Sequence, residues 1–501
     1  LDNNCNGVVD DREPSECNSC TTSGSSCTAG LGACARTGVL TCGEGGAIAV
    51  MSGQINSCAV MHDGRVRCWG YNGNSNLGDG STTQRIVPVS THATTLSNVA
   101  QLEAGYEYQC ALTGGQVRCW GYNNYGQLGD NTATSNAALQ TVIDTSNTAL
   151  SGVVRIATGY GFACALRTDG RVWCWGYNGN GELGDGTGST RSRAAVVPNL
   201  FDVVHISAGH NHACAVRDNG TVWCWGYNAY GQLGNGTATA STIPVMVPGF
   251  NGAVEVTCGA LHTCVRLSSG QVRCWGYNGY GQLGDNTVTT NYSPVEVDVN
   301  TTNSVLTSAV QLTSGIYHTC ARISDGTVRC WGYNGYGELG NGTTTAARIA
   351  TPVQELRPGA GSPITLTGVR HVYAGYYQTC AAMTDLTVRC WGRGDYGQIG
   401  DGALLSRRHA TEVIQLSGGV RCNAVPGAPA TETCTADNNC NGVVGDVSQS
   451  LCNTCAPPTA TCSVGAGTCL RTGSSSCADV GVTQVAGSEH STCAMKPDGT
   501  L

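Results

Sequence analysis

CWGYNGYGQLGD, residues 274–285, is one of seven versions of a single phrase in this 501-residue sequence. Aligning on the tryptophan that follows a cysteine gives Cys68-Trp69, Cys119-Trp120, Cys174-Trp175, Cys224-Trp225, Cys274-Trp275, Cys330-Trp331 and Cys390-Trp391. A partner cysteine precedes each: Cys58, Cys110, Cys164, Cys214, Cys264, Cys320 and Cys380. Upstream of each partner lies a short alternating run, such as SAVQLTSG at 308–315, which reads as a strand with Val310 and Leu312 on one face. The repeat is therefore a β-type unit of roughly fifty residues, and seven such units predict a ring of blades.

The cysteine spacing adds a geometric argument. The two cysteines are ten apart in six copies and nine apart in the second. Cys58 and Cys68 face each other if His62-Asp63-Gly64 forms a three-residue turn with glycine in the left-handed position. Gly170, Gly220, Gly270 and Gly326 fill that position elsewhere. Cys110 and Cys119 face each other if Gly114-Gly115 forms a two-residue primed turn. Loop length and spacing change together, as a hairpin requires, so one disulfide per blade is expected. The seventh copy has Thr384-Asp385-Leu386, with no glycine, and its turn should be strained or differently shaped.

Composition agrees with a turn-rich, all-β chain: Gly 71, Cys 30, Phe 3, and only 12% charged residues against roughly 25% in ordinary soluble domains. A net charge of −8 argues against a nucleic-acid surface. Regularly spaced cysteines place the chain in an oxidising compartment, secreted or at the cell surface. No run of roughly 18 apolar residues is present, so no membrane span is expected. Lys496 is the only lysine, which leaves little room for Schiff-base chemistry. No nucleophile–base pair, phosphate loop or convergent carboxylate pair stands out, and the chain is expected not to be an enzyme.

The pattern AGxxHTCA…DGxVxCWGYNxYGQLGDG resembles the regulator of chromosome condensation repeat. That resemblance covers about residues 46–416 and implies a seven-bladed β-propeller closed by pairing strands from the two chain ends. Here closure would join the strand near Ala47–Met51 to the blade containing Glu412–Leu416. The resemblance would also suggest guanine-nucleotide exchange. The cysteine pairs, absent from intracellular members, and the acidic balance argue against that activity.

Residues 1–45 form a different module with Cys5, Cys17, Cys20, Cys27, Cys34 and Cys42. Residues 436–480 repeat it as Cys440, Cys452, Cys455, Cys462, Cys469 and Cys477, each displaced by roughly 435 positions. The same offset carries Cys58 onto Cys493 and Gly64 onto Gly499. The expected division is thus a module at 1–45, a propeller with its connection at 46–435, a second module at 436–480, and at 481–501 the start of a second propeller or a strand for a neighbouring subunit.

Each module opens with an acidic-amide loop. Asp2, Asn4, Asn6, Gly7, Val8, Asp10 and Glu13 fit the spacing of a calcium loop, with oxygens at alternate positions, a glycine at the sharp turn and a terminal carboxylate. The second loop keeps Asp437, Asn439, Asn441 and Asp446 but has Ser448 where the first has Glu13, so weaker binding is expected. Both also resemble the short DNDCDG-type metal-binding motif of secreted bacterial proteins. A polar turn that merely positions Cys5 or Cys440 is the alternative. Cys17-x-x-Cys20 reads as disulfide-forming rather than zinc-binding.

His212, His262 and His318 recur two positions before a cysteine but are replaced in the other copies, so packing or hydrogen bonding is their expected role. Asp79 and its equivalents are read as turn formers. Cys258 has no obvious partner, while Cys422 and Cys434 would close a short loop. The functional expectation is an extracellular structural protein: a filament or surface fibre of propellers, chained head to tail with copies of itself through calcium-loaded modules. The alternative is a surface adhesin or lectin that holds glycan or protein on its propeller loops.

Overall fold

The computed structural model describes residues 46–92, 95–302, 304–356 and 362–416 in full. Outside these it describes the strands Ser26–Ala29, Arg36–Thr41, Arg421–Cys422, Thr461–Val464, Arg471–Ser474, Gln484–Ser488 and Ser491–Met495. Contacts divide the chain into Gly46–Ser417 and a second unit made of Leu1–Gly45 with Gly418–Leu501.

Gly46–Ser417 is a seven-bladed β-propeller. Every blade is an antiparallel sheet whose four strands follow one another in the chain. Blade 4 is typical: Val203–Ala208, His212–Arg217, Val222–Gly226 and Ser241–Val247. The first strands contact one another around the ring and line its centre. A two-stranded extension, Gln354–Glu355 with Ile364–Thr365, joins blade 7 through Glu355 opposite Ala410.

The turn chemistry fixes the cysteine pairs. In every blade the two cysteines sit directly opposite in register. They are bonded, with Cα atoms 4.0–4.1 Å apart. Gly114 and Gly115 both take positive φ, 56° and 73°, as a two-residue primed turn requires. The glycine-free seventh turn keeps the shape of the others, with Leu386 at φ 65°. It is therefore strained rather than remodelled.

Seven hydrophobic clusters fill the seven interfaces between blades. Each sets the disulfide of one blade against the fully buried tryptophan of the next, as Cys164–Cys174 against Trp225. Each indole also donates to a backbone carbonyl of the preceding blade at 2.8–3.1 Å, from Trp120 to Asn76 round to Trp69 and Gln398. The buried N–H is thereby satisfied, which an apolar slot alone would not do.

Two sequence expectations are corrected. The ring closes without exchanging strands: Ala47–Ser52 pairs within its own blade, and Arg407–Glu412 is the outer strand of blade 7. Each repeat supplies its four strands contiguously, so no blade is left incomplete. Val413 and Leu416 instead pack their side chains against blade 1. Second, Val310 and Leu312 do not share a face. A β-bulge between Ala309 and Gln311 turns Val310 outward, 36% exposed, while Leu312 is buried. The same bulge recurs in every first strand.

In the second unit, Ser26–Ala29 pairs with Arg36–Thr41, which continues to Arg421–Cys422. Thr461–Val464 pairs with Arg471–Ser474 in the matching register: Cys462 faces Gly473 as Cys27 faces Gly38. Cys493 faces Ala486 as Cys58 faces Met51.

Candidate functional site: a tyrosine face on the propeller

In an antiparallel blade the loop after the first strand and the loop after the third emerge at the same end. Both loops here are rich in tyrosine. The Trp-Gly-Tyr-Asn loop contributes Tyr71, Tyr122, Tyr177, Tyr227, Tyr277 and Tyr333, and the later loop positions add Tyr125, Tyr230, Tyr280, Tyr336 and Tyr396. An asparagine holds this loop in six blades. Asn278, for example, accepts the Leu283 N–H at 2.9 Å and donates to Asp285 at 3.0 Å. The tyrosines are thus presented from a braced frame rather than a slack loop.

Their rings meet edge to face across blade boundaries. Tyr230 contacts Tyr277 at 5.2 Å, Tyr280 contacts Tyr333 at 5.1 Å, and Tyr336 contacts Tyr377 at 5.7 Å between ring centres. Arg393 lies over Tyr336, Tyr377 and Tyr396 at 5.1–5.8 Å and is paired with Asp395. On the other arc Tyr125 contacts Tyr177 at 5.2 Å, and Tyr71 contacts Tyr396 at 5.7 Å. Tyr230, Tyr280 and Tyr336 are each 38% exposed, so every one shows part of a ring to solvent.

At the centre of this face the ring's mouth is covered. Tyr106 stacks on Tyr160 at 4.4 Å, Tyr160 lies 4.3 Å from His210, and His210 reaches Tyr376. Backbone bonds tie neighbouring blades here, including Tyr106 N–H to Tyr160 and Tyr376 N–H to Gly53. Burial, with neighbouring tyrosines, lifts Tyr160 to about 12. This hydroxyl stays protonated at neutral pH and offers one donor and an acceptor. The face therefore combines flat apolar ring area with neutral hydrogen-bonding tips.

The sequence-singled residues fall elsewhere. The fourteen blade cysteines lie in the interfaces between blades, remote in role from this face. His212, His262 and His318 bridge blades through Thr263, Thr319 and Thr379 at 2.8–2.9 Å. Thr263 and Thr379 spend their own protons on Gln232 and Glu338 carbonyls, so His212 and His318 donate from Nε2. Burial holds all three imidazoles at about 3, hence neutral. Asp79, Asp185 and Asp401 cap their loops and pair with Arg85, Arg191 and Arg407. Cys258 is a buried free thiol, lifted by burial to about 12 and so unreactive. Its neighbours His212 and Cys214 offer no metal site, because the Cys214 sulfur is already bonded to Cys224. Asp2, Asn4, Asn6, Val8, Asp10 and Glu13, with Asp437, Asn439, Asn441 and Asp446, lie outside the described residues. No helix among the described residues is long and apolar enough to cross a membrane.

Fold and face together define a seven-bladed β-propeller with a tyrosine-rich face built from its loops. The family model described as the RCC1-like domain matches residues 22–355, and the regulator of chromosome condensation (RCC1) repeat matches 369–398; the chain belongs to this RCC1-like family. It is 29% identical over 138 residues to the ultraviolet-B receptor UVR8 of Arabidopsis thaliana, covering 27% of this chain and 31% of that one. It is 31% identical over 154 residues to the E3 ubiquitin-protein ligase HERC2 of Mus musculus, covering 30% of this chain and 3% of that one. The chain thus matches a third or less of the length of these relatives. Among solved structures it resembles yeast RCC1 (Prp20) bound to Kap60, with TM-score 0.59 and 20% identity over 73% of this chain and 85% of that one. Human WBSCR16 is similar at TM-score 0.58 and 20% identity, over 70% and 94%. At such identities the likeness establishes the fold.

Proposed function

We propose that this protein is an extracellular, non-catalytic adhesin whose propeller holds a surface glycan on its tyrosine face. The observation that carries this reading is the run of part-exposed tyrosines, braced by the loop asparagines and continued from blade to blade. Tyrosine offers large contact area at low entropic cost and a polar tip, the combination that suits a sugar ring with one apolar face and a hydroxylated rim. The disulfide in every blade suits an oxidising environment, where such bonds persist. A glycan array probed with the full chain and with Tyr280→Ala/Tyr336→Ala tests the proposal. Signals lost in the double variant support it; no binding by the intact chain overturns it.

A second reading is favoured by one observation of its own. The 435-residue offset recurs in the strand registers of both modules and of the hairpin at Gln484–Met495. It supports a surface fibre of propellers chained head to tail, with the acidic-amide loops binding calcium to stiffen the modules. Electron microscopy of the secreted protein separates the two, since isolated monodisperse rings with no chaining would sink the fibre.

A further inference from the structure

The first strands enclose a central cavity of ≈ 450 Å³ that the tyrosine face does not use. At its polar level stand Gln101, Arg155, His205, Glu255, Gln311 and His371, one from each blade except the first. Arg266 and Arg322 back this level from the second strands, as the cross-strand partners of Glu255 and Gln311, without lining the cavity themselves. Some of these groups are already committed. Gln101 exchanges two hydrogen bonds with the Ile156 backbone, and Gln311 does the same with Val372. Arg266 donates to Glu255 at 2.7 Å.

The remaining groups are cationic or neutral donors. Arg155 and Arg322 flank His371, and Arg155 with Arg266 flanks His205, closely enough that each guanidinium opposes protonation of the imidazole. Nδ1 of His205, Nδ1 of His371 and Nε of Arg322 are shut off from solvent with no protein partner among the described residues. Three guanidinium groups face two carboxyls, Glu255 and Glu103, and Glu103 is engaged by Tyr373 and Gln101. A protein of net charge −8 thus keeps a positive excess inside its ring. Gathering more guanidinium than carboxylate charge around one walled space is unfavourable unless an anion balances it.

Access is asymmetric. The tyrosine-side mouth is covered by Tyr106, Tyr160 and Tyr376. The opposite mouth is rimmed by the bulge residues Val154, Val204, Val254 and Val310, of which Val154 and Val204 are 52% and 50% exposed, together with exposed Arg370.

We propose that the central cavity binds a small multivalent oxyanion, bearing carboxylate or phosphate groups, which enters past the valine rim. Its oxygens accept hydrogen bonds from the Arg155 guanidinium, which lines the cavity, and Arg322 beside His371 adds positive charge at the same level. Bidentate guanidinium contacts would set the preference for planar or tetrahedral oxyanions over halide.

The test is isothermal titration of the full chain with citrate and, separately, with inorganic phosphate, at ionic strength held constant with chloride. Saturable one-to-one binding of either probe is expected, weakened at least tenfold in both Arg155→Gln and Arg322→Gln. Citrate alone assigns a carboxylate ligand and phosphate alone a phosphate ester. Thermal melts of both variants verify folding, and removing an unpaired charge should leave the fold intact. The site stands apart from the glycan proposal, so Tyr280→Ala/Tyr336→Ala should bind the anion normally. Absence of saturable binding by either probe, or binding unchanged in both arginine variants, would overturn the proposal.

Discussion

Replacing Cys164 and Cys174 together by alanine removes the staple of blade 3 while leaving its turn, Arg167 to Arg171, in place. The bond spans ten residues of sequence, for which loop-closure entropy gives roughly 2.7 kcal/mol. The two sulfurs also belong to the cluster around Trp225, and deleting each resembles removing a buried methyl, at roughly 1 kcal/mol apiece. The total of about 3–5 kcal/mol acts on a unit of roughly 370 residues, whose unfolding entropy is about 0.8 kcal/mol per kelvin. The melting midpoint should fall by roughly 4–6 °C under non-reducing conditions. Cys258→Ala is the control, because it removes a buried sulfur without removing a cross-link; it should cost about 1–2 °C at most. Differential scanning calorimetry of wild type and both variants measures the three midpoints. A double variant that melts with wild type, or no lower than the Cys258 control, would refute the idea that the staple constrains the unfolded chain.

Leu386→Gly should raise the urea midpoint by up to about 1 kcal/mol equivalent, since a left-handed residue with a Cβ costs roughly 1–2 kcal/mol and glycine gives back part of that in entropy; an unchanged midpoint would mean that the turn at φ 65° is not strained. The histidines at His212, His262 and His318 are held at about 3 against an ordinary 6.5, so the unfolded chain binds more protons between these values. Stability is fully present above pH 6.5 and should fall on acidification by up to about 1.4 kcal/mol per pH unit for each histidine. His262→Gln, which copies the residue found at Gln378 in blade 7, should flatten that slope in urea melts at pH 7, 6 and 5. Chelation of calcium should lower the melting midpoint of the full chain, and Asp2→Ala with Glu13→Ala should reduce the effect of chelator, leaving the smaller share of the second loop. A midpoint indifferent to chelator removes the metal from the modules.

The blades were legible because hairpin geometry leaves few choices. Once the turn is two or three residues long, the facing pair follows, and cysteines nine or ten apart land opposite each other. The inner strands were less legible. Strict alternation puts Val310 beside Leu312, but the bulge inserts one residue, which no two-fold period can express. The tyrosine face was half visible. The tyrosines of the Trp-Gly-Tyr-Asn loops repeat plainly, yet Tyr106, Tyr160 and Tyr376 occupy a position filled by Gln54, His210, Ala260 and Ile316 in other blades. Only the antiparallel topology brings the two loop sets to one end. The central cavity was not legible at all, since Arg155, His205 and His371 share a register position but no motif.

Closure without strand exchange follows from how the interfaces are made. In every blade the first residue of the inner strand donates its N–H to the carbonyl of the positive-φ turn residue in the blade before it: Val99 to Gly64, Val203 to Gly170, Val369 to Gly326, and at the seam Ala47 to Leu386. The seam is therefore chemically the same as the six other junctions, with Trp69 bonded to Gln398 and the Cys380–Cys390 staple against it. This also explains why the seventh turn keeps its left-handed residue without glycine. A relaxed turn would point the Leu386 carbonyl elsewhere and leave the Ala47 N–H buried and unpaired, at roughly 1–3 kcal/mol. That cost matches or exceeds the strain of roughly 1–2 kcal/mol that Leu386 carries. The seam thus holds by the same contacts that join any two neighbours, and an exchanged strand would add nothing that the repeat does not already supply.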